Sequence, residues 1–318
     1  MTTQPRSTLR KLLTFVGALF FVVLAAIALL GMLTSWRGHE VERRLRTHFA
    51  GQSLGEAYPA RSANETTRAL DAITASLGLG TSDFKKARDD QKSPFRGERR
   101  TAVRDLLDAR KAPLEGSLAA LPPPPVEVVE LLAEVRPALD QATALLNSAP
   151  APIWPRDLSL GAEVKIPNYL PLLDLQKLLI VDAREHARAG ESAPAFARLD
   201  ASWALNQAVL DDPYLISHII AEPVTRMQIG LLRSLAAPPV WSQRLSSLKL
   251  RDNAITTLRS EAYLALATAR SKWVGGLFRP HFFARWVLTD HANRFESLVA
   301  KLEREDVRTF DPEAFDRA

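Results

Sequence analysis

The chain has 318 residues, 47% hydrophobic and 24% charged, so it can bury one sizeable core or two small ones. The formal net charge is +5, but three of the 41 Lys/Arg and none of the 36 acids fall in residues 1–36, so the remainder is close to balanced. Interspersed charges of both signs exclude the one-sided basic footprint that nucleic acid requires, and the absence of cysteine excludes disulfides, thiolate zinc sites, iron–sulfur clusters and thiol nucleophiles.

Residues 1–11 form a short tail carrying Arg6, Arg10 and Lys11. Leu12–Leu33 is an apolar run with no charge, closed by Trp36 and Arg37. At 1.5 Å per residue it reaches across a hydrocarbon core of about 30 Å. It is longer than a cleavable signal core of about 7–15 residues, and no small-x-small site follows it directly. Residues 12–36 are therefore expected to be an uncleaved transmembrane signal anchor, with Trp36 at the membrane–water interface. The tail's crowded cations favour a cytoplasmic N-terminus and an exported body. Arg37, Arg43, Arg44 and Arg46 on the other flank leave open the alternative of a cytoplasmic body. The Ala-, Leu- and Arg-rich usage points to a bacterial source, hence an inner-membrane location.

Strand signals are nearly missing, and helical periodicity dominates. The anchor is expected to continue as a polar helix to about Ala50. Ser62-Ala-Asn-Glu65 reads as a capping box opening a helix over 63–77, stopped by Gly78. Residues 83–91 suggest a short charged helix and 98–109 a longer one with Val103, Leu106 and Leu107 inward. Pro122–Pro125 is a break whose last proline suits a helix N1 position. Residues 126–147 read as one helix that Pro137 should kink or break. The membrane-proximal region, 37–147, then gives way to a proline-rich connection over 148–167, anchored by Ile153 and Trp154. In the C-terminal domain, 168–318, Asn168 caps a helix to Ala189 and Gly190 stops it. Ser192 opens the next, to Asp211-Asp212, and Pro213 opens a third, to about Ala236. Pro238-Pro239 ends it, and helices over 248–272 and 280–305 follow. The expected fold is all-α: one N-terminal transmembrane helix and an irregular helical-hairpin body.

The stretch LPLLDLQKLLIVDAREHARAGESAPAFARLDASWALNQAVLDDPYLISHIIAEPVTRMQIGLLRSL, with Gly276-Leu277-Phe278-Arg279-Pro280 beyond it, resembles a group of bacterial membrane-anchored helical proteins over roughly residues 150–300. No activity is attached to that group, so the resemblance implies a location and a fold but no catalytic residue. Residues 172–210 also resemble a tetratricopeptide hairpin, with small Ala183, Ala187 and Ala195 around Gly190. The helices are longer than a 34-residue unit allows, and no third copy follows at that period, which is why irregular hairpins are expected.

Three clusters carry candidate chemistry. His218, Glu222 and Arg226 are spaced i, i+4, i+8 on one face of the Pro213 helix, with Asp211 one turn ahead. A His–Glu pair at that spacing can ligate a metal or share a proton. The bland reading is an intrahelical ladder in which Glu222 pairs with Arg226 and bonds His218. Asp182 and His186, also i, i+4, sit near a helix end, where a solvated face is the plainer account. Arg270–Trp286 interleaves cations with Trp273, Phe278, Phe282 and Trp286 around a Gly-Gly turn. Those four, with Trp36, are the candidates for membrane contact; the plain alternative is a helical corner with buried rings and snorkelling cations. No metalloprotease, nucleophile-elbow or phosphate-loop motif occurs.

The leading expectation is thus a membrane-anchored interaction or scaffold protein of the bacterial envelope, without catalysis or cofactor. It would bind a protein partner through Asp182, His186, His218, Glu222 or Arg226. A metal-assisted hydrolase at His218 and Glu222 is the first alternative and a lipid-contacting accessory protein the second.

Overall fold

The computed structural model describes residues 29, 32–33, 36–37, 39–83, 93–107, 123–235, 239–270 and 281–304. Among them the chain is helical, with no strand; one isolated antiparallel bridge joins Arg61 to Arg156. The helices are α1 (39–48), α2 (Leu54–Ala57), α3 (Glu65–Ser76), α4 (Gly97–Leu106), α5 (Val126–Ser148), α6 (Leu170–Arg188), α7 (Ser192–Leu210), α8 (Leu215–Leu232), α9 (Pro239–Ser246), α10 (Leu250–Arg270) and α11 (His281–Arg304). No helix among the described residues is long and apolar enough to cross a membrane. The run Leu12–Leu33 lies outside them apart from Leu29, Met32 and Leu33.

The chain divides into two compact units, Met1–Ala57 with Glu261–Ala318, and Tyr58–Ser260; the division falls within α10. In the first, Val41 and Leu45 of α1 pack with Ala262 and Leu266 of α10 and Ala292 of α11. Tyr263 sets its ring edge-on to Phe49 at 5.8 Å. The expected connection at 148–167 lies inside the second unit rather than between two.

In that second unit α7 packs against α5, α6 and α8, and α6 also meets α8. A helix enclosed on three sides cannot be strongly amphipathic, and α7 buries apolar and polar residues alike, among them Ala195, Arg198, Leu199, Ser202, Leu205 and Asn206. Ile180, Ala183, Leu199, Val224, Leu231, Leu232 and Trp241 form one core cluster; each fully buried leucine contributes about 1.5–3 kcal/mol. Helix α9, which the proline pair concealed in the sequence, docks through Trp241, edge-on to Trp203 at 5.4 Å. Gly190, at φ +80°, makes the tight α6–α7 turn.

The helix termini depart from the local signals by small shifts. Asn64, not Ser62, caps α3: its Oδ1 accepts from Thr67 N–H at 3.0 Å. The reason is tertiary, since Asn64 also holds the 151–153 backbone, donating to Ala151 O at 2.8 Å and accepting from Ile153 N–H at 3.2 Å. Pro125 is the N-cap of α5 rather than its first helical residue, and α5 runs through Pro137 unbroken. Asp211 is the C-cap of α7, so it does not join the face of α8 as the spacing suggested. Gly78, at φ +64°, leaves no room for a side chain, because a Cβ there would meet the Ser93 backbone at 2.8 Å. The expected 83–91 helix lies, beyond Asp83, outside the described residues.

Candidate functional site

Two charged clusters are built into the α5–α8 body. The first centres on Asp182, which α6 places against α5 and α7, with no exposure. Arg198 of α7 donates Nε–H to Asp182 Oδ2 at 2.8 Å, and Nη1 to Leu139 O at 3.1 Å and Thr143 Oγ1 at 2.6 Å. Its Nη2 donates to Asp140. Arg136 of α5 binds the other Asp182 oxygen at 3.1 Å. His186 Nε2 lies 3.5 Å from Asp182 Oδ2, while its Nδ1 meets Glu191 at 2.5 Å. The expected solvated face instead centres on a buried Asp182–Arg198 pair, with Arg136, Asp140 and Glu191 at its exposed rim. The i, i+4 spacing was read correctly, but the partners that enclose Asp182 come from other helices. One turn on, burial pushes the Glu185 carboxyl up, and Arg188 and Arg184 pull it back.

The second cluster sits where the 151–156 segment meets the start of α6 and the α7–α8 turn. Tyr169 donates its hydroxyl to Asp212 Oδ2 at 2.7 Å, and Arg156 donates Nη1–H to Asp212 Oδ1 at 3.2 Å. All three side chains are buried. Burial raises the Asp212 carboxyl above its usual range, with the Tyr169 bond and Arg156 opposing. Burial, then the Asp212 charge, raises the Tyr169 phenol. The Arg156 guanidinium is weakened first by burial and next by Arg61. The Tyr58 ring covers it, 5.4 Å from guanidinium carbon to ring centroid. Sequence reasoning passed over Arg156, Asp212 and Tyr169. They are far apart in the chain, and a lone arginine in a proline-rich stretch carries no spacing signal.

On α8, Glu222 turns to Arg226 in an ion pair, as the ladder reading had it. No hydrogen bond joins Glu222 to His218, whose imidazole pKa is lowered by burial. Among the described residues no three metal-ligating side chains come together. The outer face of this helix also exposes Ile216 and Ile219, at 40% and 57%. Of the membrane-contact candidates, Trp36 is 68% exposed. Trp273 and Phe278 lie outside the described residues, and the side chains of Phe282 and Trp286 likewise.

A polar seam runs between α7 and α8. Gln228 donates to Ser202 at 2.8 Å, and Asn206 donates to Thr225 at 2.9 Å and Ala221 O at 3.2 Å. Such a seam fixes the register of two helices that hydrophobicity alone would let slide.

No protein-family model matches this chain, and neither a curated protein nor a solved structure proved similar to it.

Proposed function

We propose that this protein is a membrane-tethered helical interaction module of the bacterial envelope, holding its body on the exported side of the inner membrane. The observation that carries the reading is the uncharged run Leu12–Leu33, followed by a chain of nearly balanced charge. The binding face is the outside of α8: Ile216 and Ile219 project beside the Glu222–Arg226 pair, the apolar centre and charged rim of a protein interface. A metal-assisted reaction at His218 and Glu222 has less support, since one Glu222 oxygen is taken by Arg226.

Two measurements test this. The chain has no cysteine, so Ser247→Cys places a single thiol at an exposed site. Labelling of intact cells by a membrane-impermeant maleimide is expected; labelling only after lysis would put the body in the cytoplasm. A photocrosslinker at Ile219 of the full chain, in native membranes, should give a discrete adduct. A crosslinker at Ser242 should give none. Adducts equal at both positions would remove α8 as the binding face.

A further inference from the structure

Arg156 is the buried cation that the fold leaves half used. Its side chain has no exposure, yet of its three guanidinium nitrogens only Nη1 is bonded, to Asp212. Nε and Nη2 have no partner among the described residues. These two nitrogens form one edge of the guanidinium, with parallel N–H bonds, the edge that grips a carboxylate or phosphate two-pronged. A buried donor left without an acceptor costs about 1–3 kcal/mol, and more when charged, so an empty fork inside a protein calls for an explanation.

A second observation points the same way. Arg61 and Arg156 are the partners of the single antiparallel bridge, exchanging N–H···O bonds of 2.8 and 3.0 Å. Residues directly opposite in such a pair send their side chains to the same face, where like charges repel. The pairing is not loose: Asn64 and Thr67 pin the neighbouring backbone, the Thr67 hydroxyl donating to Ile153 O at 2.7 Å. Residues 58–64 thus form a strap that holds a second guanidinium beside the first, and lays the Tyr58 ring over it. The Tyr58 hydroxyl in turn lies 3.3 Å from Ser260 Oγ.

We propose that the Arg156 fork, with Arg61 at its rim, is a receptor for a small oxyanion, a carboxylate or phosphate group held by two parallel N–H bonds under the Tyr58 strap. Asp212 fixes the inner end of the guanidinium through Nη1, and Tyr169 fixes Asp212, so the fork is aimed before any ligand arrives. That preorganisation removes the ordering cost that a flexible lysine would carry. The exposed Arg61 marks the side of entry, and its charge raises the local anion concentration there. The site belongs to the Tyr58–Ser260 unit and does not depend on the tether or on the outer face of α8.

The test uses the full chain in detergent micelles, with formate and inorganic phosphate as probes at constant ionic strength balanced by chloride. A saturable rise in the thermal unfolding midpoint with one of them is expected. Arg156→Lys keeps the charge and loses the fork, and should weaken the response by about tenfold or more. Arg61→Gln removes only the exposed partner and should weaken it several-fold, about the effect of one rim charge. No saturable response of the unaltered protein to either probe would overturn the receptor and leave the fork to water. A response of Arg156→Lys equal to the parent's would overturn it too. If Arg156→Lys does not fold, Arg61→Gln decides: undiminished affinity there overturns the two-guanidinium site.

Discussion

Arg198 and Arg156 are both buried arginines bonded to buried aspartates in the same helical body, yet the fold treats them differently. Arg198 places Nε, Nη1 and Nη2 on Asp182, Leu139 O, Thr143 and Asp140, so every nitrogen is used. Among the described residues Arg156 bonds only through Nη1. A fully spent guanidinium is a clamp: it ties α5, α6 and α7 together and has nothing left to offer. A guanidinium with an open fork is held as firmly at one end and remains available at the other. Composition, charge and burial cannot tell these two roles apart; only the direction of each N–H can.

The comparison can be broken or sharpened by substitution. The largest effect is expected from Arg198→Ala, which leaves Asp182 in the core with only Arg136 and the His186 ring beside it. Removing one member of a buried pair costs about 3–5 kcal/mol, read by urea unfolding followed through tryptophan fluorescence. A cost below about 1 kcal/mol would show that the clamp holds little. Tyr169→Phe removes a buried bond to a charged group and should cost about 1.5–3 kcal/mol in the same assay. The conservative pair divides the two arginines most directly. Arg198→Lys offers one point charge where four acceptors are spread around a planar fork and should cost about 2 kcal/mol, whereas Arg156→Lys keeps its one ion pair and should cost about 1 kcal/mol or less. Equal costs would erase the distinction.

Smaller effects belong to α8. The His218 pKa is lowered from 6.5 by burial. The unfolded chain therefore takes up the proton first, and stability falls as pH drops below about 6.5. His218→Gln should flatten that part of the stability curve between pH 7 and 5; an unchanged slope would place the imidazole in open solvent. Glu222→Gln breaks a half-exposed i, i+4 pair and should cost only a few tenths of a kcal/mol, about 0.3–0.5, in the urea titration.

Much of the architecture was legible because helices announce themselves locally. Gly190 acts within a few residues of itself, and hydrophobic spacing marks α5 to α8, whereas the caps shift: Asn64 in place of Ser62 for α3, and Tyr169 in place of Asn168 for α6. Helix α9 was hidden because Pro239 was read as an end when it is also a permitted beginning. Pro137 was read as a break, but packing of α5 against α7 holds the helix through it. The candidate residues fared according to reach. The Glu222–Arg226 pair lies within one turn and was visible. The burial of Asp182 depends on Arg198 and Arg136, 16 and 46 residues away, and was not.

By itself the sequence determined the helical class, the places where helices start and stop, the near-neutral body and the apolar run at its head. These follow from spacing, capping and composition, which act over a turn or two of chain. The tertiary structure alone decided which charges are spent and which are kept. Whether Asp182 faces water, whether Arg61 stands beside Arg156, and which edge of that guanidinium stays open all depend on residues brought together from distant segments, because an electrostatic partner is defined by position in space and not by position in the chain.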